Sequence, residues 1–123
     1  MANIPKPDPA AAAKYFQQKL DCTTGPIELG HWIEEKAPIT IIDVRRPEDF
    51  EKGHIPGALN LPKEKWEGVK GLTKDRTNVV YCYSQTCHLA AAAALIFSKK
   101  GFPAVELEGG FNTWLKAKLP VDK

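Results

Sequence analysis

The amino-acid sequence predicts an α/β domain built on a parallel, doubly wound sheet, and three observations carry that prediction. Stretches of strand and helix character alternate along the whole chain, as successive βαβ units require. The run Ile39-Thr40-Ile41-Ile42-Asp43-Val44 is short, β-branched and almost continuously apolar, the mark of a strand covered on both faces. A second such run, Asn78 to Cys82, leads through a few polar residues into the alanine-rich segment Ala90 to Ala94, which reads as strand, tight loop and helix in succession.

The elements follow in order. Beyond a lead containing Pro5, Pro7 and Pro9, the segment Ala10 to Leu20 holds strong helix formers, with Asp8 placed to cap it and Pro9 suited to its first turn. Tyr15, Phe16 and Leu20 put apolar groups on one side of this helix. Cys22-Thr23-Thr24 predicts a brief edge strand, with Cys22 in the core. Pro26 opens a second helix in which Ile27, Leu29, Trp32 and Ile33 form an apolar stripe.

Strand 39–44 comes next. Arg45 to Phe50 turns into a short helix, and Gly53-His54-Ile55-Pro56-Gly57 is a loop dense in helix and strand breakers. Ala58 to Leu61 is a short strand, and Pro62 to Val69 a helix with Trp66 facing inward. The helix after the second apolar strand runs from about Cys87 to Lys100 and stops at Gly101, a residue suited to the left-handed position past a helix end. Its small residues, Ala90 to Ala94, let helix and sheet approach closely. Ala104 to Leu107 is a strand, Gly109-Gly110 a tight turn that needs glycine's backbone freedom, and Phe111 to Ala117 a terminal helix carrying Trp114 and Leu115. Trp32, Trp66 and Trp114 are core residues, with Trp66 and Tyr83 also placed to wall a pocket. Residues 1–9 form a flexible lead and residues 10–123 a single domain.

Composition narrows the function. In 123 residues, 17 Lys and Arg stand against 15 Asp and Glu, and the basic residues are scattered among acidic ones, so there is no nucleic-acid footprint. The N-terminus has no apolar segment of the signal-peptide kind. The longest apolar run, Leu89 to Phe97, is too short for a bilayer. Three cysteines, an odd number without the spacing of a disulfide framework, fit a reducing cytoplasm.

In an open parallel sheet, ligands sit beyond the carboxyl ends of the strands. Asp43-Val44-Arg45, Cys82 and Glu108-Gly109-Gly110 all fall just after strands and so share one edge of the sheet. A thiol between a strand and a helix start has its anion favoured by unpaired N–H groups and the helix dipole. Cys82 is therefore the candidate nucleophile. The loop of Tyr83, Ser84, Gln85 and Thr86 up to Cys87 and His88 is compact enough to curl its N–H groups inward around an anion.

Cys87 has three readings: a thiol that resolves a persulfide on Cys82, the reactive thiol itself, or a small residue at a helix start. Cys82, Cys87 and His88 lack a fourth ligand nearby and make no zinc site. His88 either sits over the loop as an imidazolium or points to solvent. His54 is a turn residue and His31 a surface one. Asp43 accepts backbone N–H groups or pairs with Arg45, tying loops together.

Asp43-Val44-Arg45, Gly53-His54-Ile55-Pro56-Gly57-Ala58, Val79-Val80-Tyr81-Cys82 and Glu108-Gly109-Gly110-Phe111-x-x-Trp114 together resemble the single-domain rhodanese-like sulfurtransferases. The resemblance runs from about Pro26 to Pro120. It implies a five-stranded, mainly parallel sheet flanked by helices on both faces. It also implies a cysteine, here Cys82, that takes a sulfane sulfur from a small-molecule or protein donor, holds it as a persulfide and passes it to a thiol or other nucleophilic acceptor, with no metal or organic cofactor. Asp43 and Arg45 take a scaffolding role in this reading.

The loop departs from the family pattern Cys-Arg-x-Gly-x-Arg, for Tyr83, Gln85 and Cys87 stand where that pattern has arginine, glycine and arginine. Thiosulfate, a dianion, is accordingly expected to be a poor donor. The same resemblance disfavours phosphatase chemistry, which on this fold uses a longer loop ending in arginine. Two alternatives remain: a dithiol redox protein using Cys82 and Cys87, and a non-catalytic rhodanese-like binding module.

Overall fold

The computed structural model describes residues 2–123. Five strands form one parallel sheet in the order β1-β5-β4-β2-β3. The chain runs through α1 (Pro9–Cys22), β1 (Thr23–Thr24), α2 (Pro26–Glu34), β2 (Ile39–Asp43), α3 (Pro47–Lys52) and β3 (Leu59–Asn60). A 3₁₀ helix (Lys63–Gly68), β4 (Thr77–Tyr81), α4 (Leu89–Lys99), β5 (Ala104–Leu107) and α5 (Gly110–Lys116) complete it.

The two central strands bury both faces, as their unbroken apolar runs require. Ile41 and Val79 point into a cluster with Leu29 of α2, Ile55, and Phe111 and Trp114 of α5. Ile42 and Val80 point the other way, toward Trp66 of the 3₁₀ helix and Ala90, Ala93 and Phe97 of α4. Full burial of a large apolar side chain contributes about 1.5–3 kcal/mol, so Leu29, Trp114 and Phe97 suffice to fix α2, α5 and α4 on the sheet. Small residues at Ala90 and Ala93 bring α4 close to it.

Several expectations change. Helix α1 forms as its cap predicts, with the Asp8 carboxylate accepting from the Ala11 N–H at 3.1 Å and Pro9 in the first turn. Yet it buries no residue. Tyr15, Phe16 and Leu20 are all exposed, Leu20 to 75%, because α1 crosses only the β1–β5 edge, tied there by a Lys19–Glu108 ion pair at 3.1 Å. Cys22 is exposed instead of buried, since it ends this marginal helix. Ile27 is also exposed, on the outer side of α2. Residues 63–68 form a 3₁₀ helix with Trp66 inward as expected, and α4 begins at Leu89, two residues later than its alanine content suggests.

Register brings the site together. Asp43 of β2 lies beside Tyr81 of β4 and Asn60 of β3, and Val80 lies beside Glu106 of β5. The segments that follow β2, β4 and β5 therefore leave the sheet at one edge.

Candidate active site

Beneath this edge lies a buried polar network. The Asp43 carboxylate accepts from the Arg45 backbone N–H at 2.9 Å, from Arg45 Nη2 at 2.8 Å and from the Tyr81 hydroxyl at 2.7 Å. Arg45 Nη2 also donates to the Gly53 carbonyl at 2.6 Å, and the Ile55 N–H donates to the Tyr81 oxygen at 3.1 Å. The guanidinium lies 4.2 Å from the Phe111 ring centre. Burial alone would lower the pKa of Arg45, but Asp43 outweighs it and holds the residue above its ordinary value. Burial, reinforced by Asp43, pushes the Tyr81 hydroxyl upward. The loops 44–46 and 53–55 are thereby fastened to β4, the strand that leads to Cys82. Asn60 adds to this by donating to the carbonyls of Asp43 and Arg45, both at 3.0 Å.

The loop after Cys82 is held from the opposite side by the start of α5. The Phe111 N–H donates to the Cys82 carbonyl at 2.8 Å and the Asn112 N–H to the Tyr83 carbonyl at 2.9 Å. This approach requires glycine at position 110, where φ is +59° and an added Cβ would lie 2.6 Å from the Cys82 carbonyl oxygen and 2.8 Å from the Tyr83 carbonyl carbon. Gly109, at φ +82°, makes the turn that aims α5 at the loop. Gly110→Ala is therefore expected to cost about 1–3 kcal/mol in backbone strain and to displace the loop. Denaturant unfolding and the rate at which an alkylating reagent modifies the Cys82 thiol check both effects.

Tyr83 turns away from Cys82 toward α3. Its hydroxyl donates to Asp49 Oδ2 at 2.5 Å and accepts from the Arg46 N–H at 3.2 Å. That hydrogen bond, with help from Arg46, holds the Asp49 carboxyl below its ordinary pKa. Tyr83 therefore anchors the loop in the position where the family pattern has an arginine. Ser84 and Thr86 pair their hydroxyls at 3.3 Å, while Gln85, Thr86 and His88 are exposed. His88 sits at the start of α4 without capping it through its side chain, and so points to solvent. Trp66 packs against Phe97, and the cavity that Tyr83 lines with Arg45, Asp49 and Phe111 does not include it.

The two loop thiols lie close together. The Cys87 N–H donates to the Ser84 carbonyl at 3.1 Å, curling the loop so that the Cys82 thiol donates to the Cys87 carbonyl at 3.4 Å. Cys82 is only 1% exposed. Burial, reinforced by Cys87, pushes its thiol up to about 11 against the N–H groups of Ala90 and Ser84. Partial burial would also raise Cys87. Hydrogen bonds from the Cys82 thiol and from the Leu89 and Tyr83 N–H groups outweigh this, and Cys87 titrates below its ordinary value despite the nearby Glu106 charge. The N–H groups facing the sulfurs thus come from Tyr83, Ser84, Leu89 and Ala90, whereas that of Cys87 is spent on the turn.

Asp49, Asn60 and Tyr81 support the site without having been picked from the sequence. Tyr81 and Asp43 sit at matching strand ends, a signal that pairing in register could have supplied, but the Tyr83–Asp49 contact spans 34 residues and has no local signature. His54 stacks on Phe50 at 3.8 Å and, instead of lying in a turn, pairs its backbone with Asp122 in an antiparallel bridge, and His31 is exposed. Among the described residues, no three His, Cys, Asp or Glu side chains group as metal ligands, and no helix is long and apolar enough to cross a membrane.

Comparison with known proteins adds to this geometry. The model of the rhodanese-like domain matches residues 26–117. The chain is 39% identical over 90 residues to an HTH-type transcriptional regulator of Mycobacterium tuberculosis, covering 72% of this chain and 40% of that protein. It is 38% identical over 117 residues to "Probable adenylyltransferase/sulfurtransferase MoeZ" of the same organism, covering 92% of this chain and 28% of that one. The chain thus spans less than half the length of these curated relatives. Among solved structures, a Bacillus halodurans protein superposes with a TM-score of 0.85 at 31% identity, over 94% of this chain and 86% of that one. A rhodanese-related protein from Thermoplasma volcanium superposes with a TM-score of 0.69 at 28% identity, over 82% of this chain and 97% of that one.

Proposed function

The chain belongs to the rhodanese-like domain family, and we propose that it is a sulfurtransferase in which Cys82 carries the sulfur. The observation that supports this most is the placing of Cys82 at the carboxyl end of the central strand β4, with its sulfur facing the Ser84 and Ala90 N–H groups. In the proposed cycle the Cys82 thiolate attacks the terminal sulfane sulfur of a donor R–S–SH. The donor's S–S bond breaks, R–S⁻ leaves, and Cys82–S–SH remains. An acceptor thiolate then attacks the outer sulfur and regenerates Cys82. The backbone N–H groups favour the anionic sulfur at each stage without a metal or organic cofactor. The sulfurtransferase part of one relative's name agrees with this reading.

The loop's composition argues for the kind of donor. Residues 83–88 include neither Arg nor Lys, and the nearby guanidinium of Arg45 is occupied by Asp43 and the Gly53 carbonyl. A charge-assisted hydrogen bond contributes about 1.5–3 kcal/mol, so a doubly charged donor that lacks one is turned over roughly ten- to a hundredfold less efficiently. Thiosulfate is accordingly expected to be a poor donor beside an alkyl persulfide.

The test uses glutathione persulfide and intact-mass measurement. The Cys87→Ser variant, which retains Cys82 as its one loop thiol, is expected to gain one sulfur atom that a reductant removes. A double variant that also carries Cys82→Ser gains none. Absence of an adduct with persulfide and thiosulfate alike overturns the proposal in favour of a non-catalytic binding module. Thiosulfate loading as fast as persulfide loading overturns the donor assignment.

A further inference from the structure

The two loop thiols make an unusual pair. Cys82 is enclosed, and it lines neither a cavity of about 350 Å³ next to Tyr83 nor one of about 390 Å³ next to Gln85. Its thiol donates to the Cys87 carbonyl oxygen at 3.4 Å, and each thiol shifts the pKa of the other. Cys87 is partly exposed, and its sulfur faces the N–H groups of Tyr83 and Leu89. An anion at Cys87 is thus held by backbone dipoles against the atom that would carry the sulfur. Asp43 and Arg45 are paired with each other in the polar network, His88 is exposed, and Glu106 is the carboxylate whose charge reaches Cys87.

We propose that Cys87 is a second catalytic residue, which cleaves the Cys82 persulfide and releases its outer sulfur as sulfide. This rests on the sulfurtransferase reading and assigns the fate of the sulfur at that same site. The Cys87 thiolate attacks Cys82 Sγ, and the bond from Sγ to the outer sulfur breaks. A Cys82–Cys87 disulfide forms and HS⁻ departs. The outer sulfur is reduced by the electron that the Cys87 sulfur loses, and Cys82 Sγ keeps its oxidation level on passing from persulfide to disulfide, so atoms and electrons balance within the loop. An external dithiol then reduces the bridge by thiol–disulfide exchange and restores both thiols.

The loop meets the physical requirements of this step. A disulfide needs Cα atoms within roughly 7 Å, and here the Cys82 sulfur already lies 3.4 Å from the Cys87 carbonyl oxygen across a turn closed by Cys87 N–H to Ser84. Sulfide is a good leaving group because its conjugate acid is stronger than an ordinary thiol, and exchange is faster the more acidic the departing thiol. Burial of Cys82 also slows outside thiols, which gives the internal nucleophile the advantage.

The test is anaerobic treatment of the full chain with one equivalent of glutathione persulfide. Sulfide is assayed, and mass spectrometry follows digestion with chymotrypsin, whose cleavage after Tyr83 separates Cys82 from Cys87. Wild type is expected to release one sulfide per chain and to yield a Cys82–Cys87 bridge. Cys87→Ser and Cys87→Ala are expected to hold the sulfur on Cys82 at least about tenfold longer. Thermal unfolding of both variants verifies that they fold, and the wild-type bridge is a readout that needs neither of them. Equal persulfide lifetimes in wild type and both variants overturn the resolving role and leave the sulfurtransferase reading standing. So does migration of the sulfur to Cys87 as a persulfide without a bridge. Failure of every form to take up sulfur overturns both.

Discussion

Cys82→Ser is expected to lower sulfur uptake from an alkyl persulfide by about a thousandfold or more, the scale set by removing a catalytic nucleophile. Serine exchanges one atom and preserves the backbone contacts that shape the loop, in which the carbonyl of residue 82 accepts from Phe111 and that of residue 83 from Asn112. A hydroxyl at this place cannot hold sulfane sulfur, since its pKa lies far above that of a thiol. Stopped-flow measurement of donor loss, with unfolding midpoints as the control for folding, separates chemistry from structure. Cys87→Ser provides the contrast: it keeps the first half-reaction and loses the fast release of sulfide. A pattern in which Cys87→Ser abolishes uptake and Cys82→Ser leaves it intact would reverse the roles of the two thiols.

The second large effect concerns stability. Asp43→Ala is expected to destabilise the domain by about 3–5 kcal/mol, the cost of leaving a buried charge without its partner. Arg45 is 4% exposed, and its guanidinium would face the apolar Phe111 ring with only the Gly53 carbonyl to accept from it. The Tyr81 hydroxyl would lose its acceptor as well. At this chain length the midpoint should fall by roughly 10 °C or more. Because the penalty comes from the orphaned charge, the double variant Asp43→Ala with Arg45→Met is expected to be more stable than Asp43→Ala alone. Chemical denaturation of the three proteins decides it, and a double variant less stable than Asp43→Ala would show that the pair contributes more than mutual neutralisation.

These predictions also show which parts of the molecule could be read from its sequence. Ile39 to Asp43 and Thr77 to Tyr81 announce themselves because strands covered on both faces must be apolar throughout. Asp8 and Pro9 announce α1 because a helix start has orphan N–H groups to satisfy. Its environment was not legible, since Tyr15, Phe16 and Leu20 give a helix its apolar side without saying whether anything covers it. Cys22 failed for a related reason: a cysteine's usual burial depends on tertiary packing, and α1 receives none.

The candidate site was legible in its position and less so in its detail. A thiol after a buried strand and before an alanine-rich helix places the loop, and the residues that follow β2 and β5 place its neighbours. The start of α4 was misplaced because alanine favours helix wherever it stands, whereas the turn from Ser84 to Cys87 depends on carbonyls held by Phe111 and Asn112, far along the chain. The order of ionisation is likewise tertiary. A helix terminus favours the anion of either cysteine, and it is the deeper burial of Cys82 that raises its thiol while that of Cys87 is lowered.

The central claim is that Cys82 is the atom on which sulfur travels, and chymotryptic mapping of wild-type protein quenched within the first turnover after donor addition tests it most directly. The added sulfur is predicted on the peptide ending at Tyr83, bound to Cys82, in protein that has not yet formed the loop disulfide. Sulfur found first on Cys87 or on the exposed Cys22, with Cys82 unmodified throughout, would contradict it.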